Sequence, residues 1–141
     1  MQQGMKAQDL ENLFYRESGL KGLSGLSADM RTLRQSSDAR AAFAIQVYTH
    51  RVIREAGGLI AAMGGVDAIA FAGGIGENDR MLRHDLCRGL EFLGIDLDTA
   101  ANQAASSQQI TPIHRPGSKV EIWVVPTDEG IIAAEEALAL I

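Results

Sequence analysis

The sequence of 141 residues holds a single cysteine, Cys87. With no second thiol, a disulfide framework and a multi-cysteine metal site are both excluded, and Cys87, lying inside a helical pattern, reads as a core or half-buried residue. No stretch approaches the roughly 20 consecutive apolar residues that a membrane-spanning helix needs. Blocks of basic charge are missing as well. The formal net charge is −5 and the pI is near 5.1, which argues against a nucleic-acid or anionic-membrane partner. The opening Met1-Gln2-Gln3-Gly4-Met5 has no signal-peptide anatomy, so a cytoplasmic protein acting on a small molecule is expected. His50, His84 and His114 lack the i, i+3 or i, i+4 spacing of a metal site. Ser106-Ser107 has no histidine base beside it in sequence, which leaves a nucleophile without support. There is no internal repeat and no low-complexity tract.

What is present is a chain of 46% hydrophobic residues, long enough for one ordinary domain. Residues Ala7 to Glu17 read as a short amphipathic helix stopped by Gly19. The following Gly- and Ser-rich stretch, Ser18 to Ser27, reads as an irregular connection anchored by its leucines. Ser36 and Ser37 are N-cap candidates for the longest helix, about Asp38 to Met63, with Gly57-Gly58 inside it expected to mark close packing or a break. Asp67 to Ala72 is apolar on both faces, as expected of a central parallel strand covered by helices. A further helix carries Met81, Leu82, Leu86, Leu90 and Leu93 and ends at Gly94, followed by a less regular segment from Ile95 to Ala105. Ile110 to Ile113, the Pro116-Gly117 turn and Val120 to Val125 read as a hairpin or as a connection into a second apolar strand. A closing helix contains Ile131, Ile132, Ala134, Glu135, Leu138 and Ile141, with Thr127 as its N-cap. The class is α/β, with few parallel strands covered by helices. So small a sheet rarely stands alone and would leave strand edges unpaired.

The most informative segment is Gly73-Gly74-Ile75-Gly76-Glu77-Asn78, directly after the apolar run Ala68 to Ala72. A strand passing through a glycine turn into a helix is where α/β proteins bind nucleotides. The glycines admit positive φ and close approach of a ligand, and the helix start offers free N–H groups to an anion. No Lys-Ser or Lys-Thr follows, as a Walker A loop requires, and the third dinucleotide-fingerprint glycine is missing. A plain tight turn capped by Asn78 accounts for the same residues. Asp29 and Arg31 flank Met30 in the loop before the long helix. The arginine fork suits phosphate, whereas an Asp-x-Arg pair is also an ordinary solvated surface pair. Asp128 and Glu129, after Pro126-Thr127, suit either the dipole of a first helical turn or magnesium on nucleotide phosphates, which takes only one or two protein carboxylates.

Together and in this order, Ser24-Gly25-Leu26-Ser27-Ala28-Asp29-Met30-Arg31, Phe71-Ala72-Gly73-Gly74-Ile75-Gly76-Glu77-Asn78 and Val125-Pro126-Thr127-Asp128-Glu129 resemble the C-terminal part of acetate kinases. This is the acetokinase family, which also includes propionate and butyrate kinases. The resemblance runs from about Leu10 to Leu140. It implies an incomplete second domain of the actin and sugar-kinase, ribonuclease H-like class, and a magnesium-dependent transfer of phosphoryl from ATP to acetate that yields ADP and acetyl phosphate. By the same resemblance, Asp29, Met30, Arg31, Gly74, Ile75, Gly76, Glu77 and Asn78 are expected to contact the nucleotide, and Glu129 is the magnesium-associated glutamate. Two positions depart from the family pattern: Ala72 stands where threonine is common, and Asp128-Glu129-Gly130 stands where Asn-Glu-Glu is common.

The acceptor pocket, transition-state arginines, catalytic aspartate and active-site histidine belong to the family's N-terminal half. The 141 residues are therefore expected to be inactive alone, as a truncated or split kinase, with no catalytic residue of their own. A carboxylic acid substrate would bind only with that half supplied. A homo-oligomer or a partner chain is expected. The alternatives are part of a propionate or butyrate kinase, and a non-enzymatic nucleotide-binding or self-associating fragment. A dinucleotide oxidoreductase is disfavoured by the incomplete fingerprint.

Overall fold

In a computed structural model, the structure describes residues 4–128, 130, 137 and 138. The chain forms two compact units, Met1–Ala56 and Gly57–Ile141, where its length alone suggested one domain.

The first unit contains α1 (Ala7–Arg16), α2 (Gly19–Ser24), α3 (Met30–Gln35) and the first part of α4 (Ala39–Met63). The stretch expected as an irregular connection is therefore helical at α2. The Ser24 hydroxyl stabilises the end of that helix, donating to Leu20 O at 2.7 Å and accepting from Leu26 N at 3.0 Å. Met30, Leu33, Ala41, Ala44 and Ile45 form the buried apolar set of this unit. They lie at helical spacing, so one stripe of α3 and one of α4 leave water. Capping of α4 falls to Asp38 rather than to Ser36 or Ser37: Asp38 Oδ1 accepts from Arg40 N at 2.8 Å, while Ser36 Oγ accepts from Asp38 N at 3.2 Å. The helix runs unbroken through Gly57-Gly58, and a Cβ at either position would meet nothing within 4 Å. Neither a break nor close packing explains that pair.

The second unit is built on a three-stranded sheet of order β1-β3-β2, with β1 at Ala68–Phe71, β2 at Thr111–Pro112 and β3 at Glu121–Val124. β1 and β3 are parallel, Ala68 opposite Glu121 and Phe71 opposite Val124. β2 is antiparallel to β3, so the Pro116-Gly117 turn does close a hairpin, and Pro112 sits on an edge strand where its missing N–H costs no ladder bond. β3 is the central strand. Ile122, Val124 and neighbouring Ile113 are fully buried, each such side chain stabilising by about 1.5–3 kcal/mol.

β1 departs from the expectation of a covered central strand. It lies at the sheet edge, with Ala68 and Ala70 exposed and Ile69 and Phe71 half-buried. Apolar residues on both faces record what a strand can bury. Among the described residues, only β3 pairs with it.

After β1 come α5 (Gly73–Asn78), α6 (Arg80–Gly89), a 3₁₀ turn at Glu91–Leu93 and α7 (Thr99–Ala104). The glycine turn is thus itself a short helix, and the helix expected to run to Gly94 ends at Gly89; Asp79 Oδ1 accepts from Met81 N at 3.1 Å and Leu82 N at 2.9 Å and so starts α6. Asn78 is the last residue of α5 rather than a cap. Leu82, Leu86, Cys87 and Leu90 give α6 its buried stripe. α7 replaces the irregular segment, capped by Asp98 Oδ1 on Ala101 N at 2.9 Å. The expected closing helix lies largely outside the described residues, although Gly130 and residues 137 and 138 are helical. No helix among the described residues is long and apolar enough to cross a membrane.

Candidate functional site

Because β1 and β3 are adjacent and parallel, their carboxyl ends lie side by side, with Val125 N donating to Phe71 O at 2.9 Å. The glycine turn leaves β1 at this edge and Pro126-Thr127 leaves β3 there. Two motifs far apart in sequence therefore converge where open α/β sheets place ligands.

The turn itself is shaped by two glycines. Gly73 has φ +69°, a left-handed conformation that costs an L-residue about 1–2 kcal/mol. Gly76 lies against the β1 backbone: a Cβ there would come within 3.2 Å of the Phe71 carbonyl carbon and 3.4 Å of its Cα. Gly76 thus lets α5 pack onto the strand it has just left. Gly74 is different. It is exposed, its φ is not left-handed, and a Cβ would meet nothing within 4 Å.

Glu77 turns its carboxylate inward and is only 7% exposed. Its Oε1 accepts from Gly73 N, Thr127 N and Thr127 Oγ1, each at 2.9 Å. The Gly73 N–H is shared with Thr127 Oγ1 at 3.2 Å. Thr127 N and its hydroxyl, followed by Gly73 N, hold the Glu77 carboxyl below the usual glutamate range, with burial opposing them. The first N–H of α5 is therefore already engaged by the chain's own carboxylate. The Thr127 hydroxyl donates to Glu77, and Asp128 Oδ1 accepts from Gly130 N at 3.0 Å; the closing helix that Thr127 was expected to cap lies largely outside the described residues.

Asn78 is exposed and donates from Nδ2 to Gly74 O at 2.9 Å. Ile75 is half-buried. Gly74 and Asn78, one helical turn apart, share the outward face of α5.

In the first unit, Asp29 caps α3, its Oδ1 accepting from Arg31 N and its Oδ2 from the Thr32 hydroxyl, both at 3.1 Å. The Arg31 amide, then the Thr32 hydroxyl and the Arg31 charge, hold Asp29 below the ordinary aspartate range. The Arg31 side chain is 86% exposed, with Nε 3.6 Å from Asp29 Oδ1. Its guanidinium is presented to solvent. Met30, between them, is buried.

Glu129 lies outside the described residues. Among the described residues, no group of three His, Cys, Asp or Glu side chains is arranged to hold a metal ion.

Arg83 and Asn102 did not emerge from the sequence. Arg83 sits on the buried stripe of α6 and is 1% exposed. Its Nη1 donates to Gly76 O at 2.9 Å and Glu77 O at 2.7 Å, its Nε to Asn102 Oδ1 at 2.7 Å and its Nη2 to Asn102 O at 2.9 Å. Asn102 Nδ2 in turn donates to Arg80 O at 3.0 Å. Gly76 and Glu77 are among the last carbonyls of α5, which the helix cannot satisfy internally. A cation there also complements the helix dipole. Burial pushes the Arg83 guanidinium below its usual pKa, with the Asp79 charge acting in the opposite direction. The one available signal was a charged residue within an apolar helical stripe.

The fold and site define an α/β protein whose glycine turn and second strand exit are fixed together at the carboxyl edge of a small mixed sheet. Residues 1–135 match the model of the acetokinase family. The chain belongs to that family. It is 45% identical over 139 residues to an acetate kinase of Rhodopseudomonas palustris, covering 99% of this chain and 34% of that protein. It is also 45% identical over 141 residues to an acetate kinase of Rhizobium meliloti, covering 100% of this chain and 35% of that one. Among solved structures, Porphyromonas gingivalis acetate kinase superposes with a TM-score of 0.84 at 36% identity, over 96% of this chain and 35% of that chain. A propionate kinase from Francisella tularensis gives 0.80 at 30% identity, over 96% and 34%. The chain thus spans about a third of the length of the curated relatives it matches.

Proposed function

We propose that these residues form the nucleotide side of a kinase that transfers phosphoryl from ATP to a short carboxylic acid, acetate in the first instance, giving ADP and acetyl phosphate. In this reading they are the C-terminal part of a cytoplasmic enzyme of the actin and sugar-kinase class. Gly74, Ile75, Gly76, Glu77 and Asn78 are a nucleotide-contacting segment at the sheet edge, and in the first unit the family resemblance gives Asp29, Met30 and Arg31 a nucleotide-contacting role, with Arg31 providing a phosphate-directed fork. Magnesium on nucleotide phosphates takes only one or two protein carboxylates, so Glu129 alone suffices to hold it. When bound, the ion neutralises phosphate charge during transfer.

The observation that carries this reading is Gly74. Gly73 is explained by its left-handed backbone and Gly76 by contact with Phe71, but nothing among the described residues fills the space over Gly74. A helical glycine with room for a side chain gives up about 0.5–1 kcal/mol relative to alanine, and close approach of a bound nucleotide is the function that would retain it. Gly74→Ala should raise the melting temperature and weaken ADP binding at least about tenfold, a loss of about 1.4 kcal/mol. Unchanged ADP affinity in that variant would sink the reading.

Phosphoryl transfer rests on positioning and electrostatic stabilisation of the moving group. The acceptor-side residues lie in the family's other half, so the 141 residues alone should show no acetate-dependent turnover, and measurable turnover would contradict this. The alternative of a self-associating module is favoured by one observation, the edge of β1 left unpaired among the described residues, with Ala68 and Ala70 exposed. Calorimetric titration of ADP separates the two, since a purely self-associating module binds no nucleotide.

A further inference from the structure

We infer that Glu77 is a positioning residue: with Thr127 it forms a clamp that ties the glycine turn after β1 to the exit of β3, its carboxylate committed to the chain's own donors. The inference deepens the nucleotide reading and rests on it. It also moves Glu77 out of the group of residues that would touch the nucleotide.

Three donors, the Gly73 and Thr127 amides and the Thr127 hydroxyl, converge on Glu77 Oε1. A carboxylate has about four lone-pair sites over its two oxygens, so Oε1 is saturated from within. α5 has only six residues, whereas helices shorter than about 12–15 residues are marginal by themselves. Its orientation therefore depends on its tethers: Gly76 against Phe71, Arg83 on its final carbonyls, and Glu77 on Thr127. The first and second fix the body and the end of the helix. Of these three, the Glu77 tether is the one that reaches the segment after β3, alongside the bond from Gly73 N to Thr127 Oγ1. Residues 126–128 and the glycine turn must consequently move together, and a change at Thr127 is felt at Gly74 without any contact between Thr127 and a ligand.

The test combines amide hydrogen exchange, read by NMR at Gly73 and Thr127, with calorimetric titration of ADP. It uses the unsubstituted chain and the variants Glu77→Gln, Glu77→Ala and Thr127→Val. Charge-assisted hydrogen bonds are roughly twice as strong as neutral ones, so Glu77→Gln should speed exchange at both amides about tenfold. Glu77→Ala, which leaves those donors without an acceptor, should speed it about a hundredfold. The ADP dissociation constant should rise in step with exchange across the series, Thr127→Val included.

A loss of ADP affinity in Glu77→Gln with both amides still protected would make Glu77 a direct ligand contact and overturn the inference. Unchanged protection in Glu77→Ala would show that there is no clamp. If Glu77→Ala does not fold, the glutamine and valine variants decide the same two outcomes. If the unsubstituted chain does not bind ADP, the nucleotide reading fails, and amide exchange alone decides the clamp.

Discussion

Removing the Arg83 guanidinium is the perturbation whose cost follows most directly from the geometry of the second unit. Arg83→Met keeps much of the aliphatic volume in the α6 stripe and deletes four hydrogen bonds, two to the terminal carbonyls of α5 and two to Asn102. Hydrogen bonds to charged groups contribute roughly 1.5–3 kcal/mol each, and their simple sum overstates the loss because these bonds share one donor group. Leaving a buried acceptor without its donor costs about 1–3 kcal/mol, and with the Gly76, Glu77 and Asn102 acceptors affected together a loss of about 3–5 kcal/mol is expected here. A domain is stable by only about 5–15 kcal/mol, so the loss would approach the total. For a unit of under about 100 residues, each 1 kcal/mol shifts the melting temperature by roughly 4–8 °C, which gives a fall of at least about 12 °C. Circular dichroism melting and urea titration measure it. Arg83→Lys keeps the charge without the planar fork and should fall between the two. In a double-mutant cycle, Asn102→Ala and Arg83→Met should be partly non-additive, because they share the Arg83 Nε–Asn102 Oδ1 bond, while Asn102→Ala also loses its own bond to Arg80 O. A shift below about 4 °C for Arg83→Met, or full additivity with Asn102→Ala, would refute the role given to this residue.

Cys87 is 3% exposed, and burial pushes its thiol up to about 12, with the Arg83 charge pulling the other way. It should therefore react with a disulfide reagent at pH 8 only after denaturation, since the thiolate is the reactive form, and prompt stoichiometric labelling of the native chain would contradict its buried placement. The Asp38 carboxylate, bonded by the Arg40 side chain and then by the Arg40 amide, is held at about 2. Its folded value is depressed, so its contribution to stability is present above the unfolded aspartate value near about 3.9 and fades as pH falls towards about 2. Carboxyl NMR titration should find the depressed value, and Arg40→Ala should raise it while the remaining backbone bond keeps it below normal; no movement would contradict the assignment.

Local features were the most legible in the sequence. An apolar run ending in glycines announced β1 and its turn, and helical spacing of Ala41, Ile45 and their neighbours announced α4. Three kinds of information were not local. The Gly/Ser composition around α2 suggested punctuation, but Ser24 found backbone partners that a helix end supplies. The glycines of Gly73 to Asn78 suggested a turn rather than the helix α5, and the capping bonds of Asp79 show where α6 begins. The Glu77–Thr127 bonds join residues 50 positions apart, and the partners of Arg83 depend on how α5, α6 and α7 pack. No one-dimensional pattern carries such pairings. β1 illustrates the converse, because its apolar faces describe burial capacity and not the cover present among the described residues.

The central proposal is that the glycine turn after β1 contacts a bound nucleotide. Titrating ADP into the isotope-labelled chain while recording amide chemical shifts tests it most directly. Saturable shifts at Gly74, Ile75, Gly76 and Asn78 are expected, with a single dissociation constant. No saturable change, or shifts confined to other residues, would contradict it.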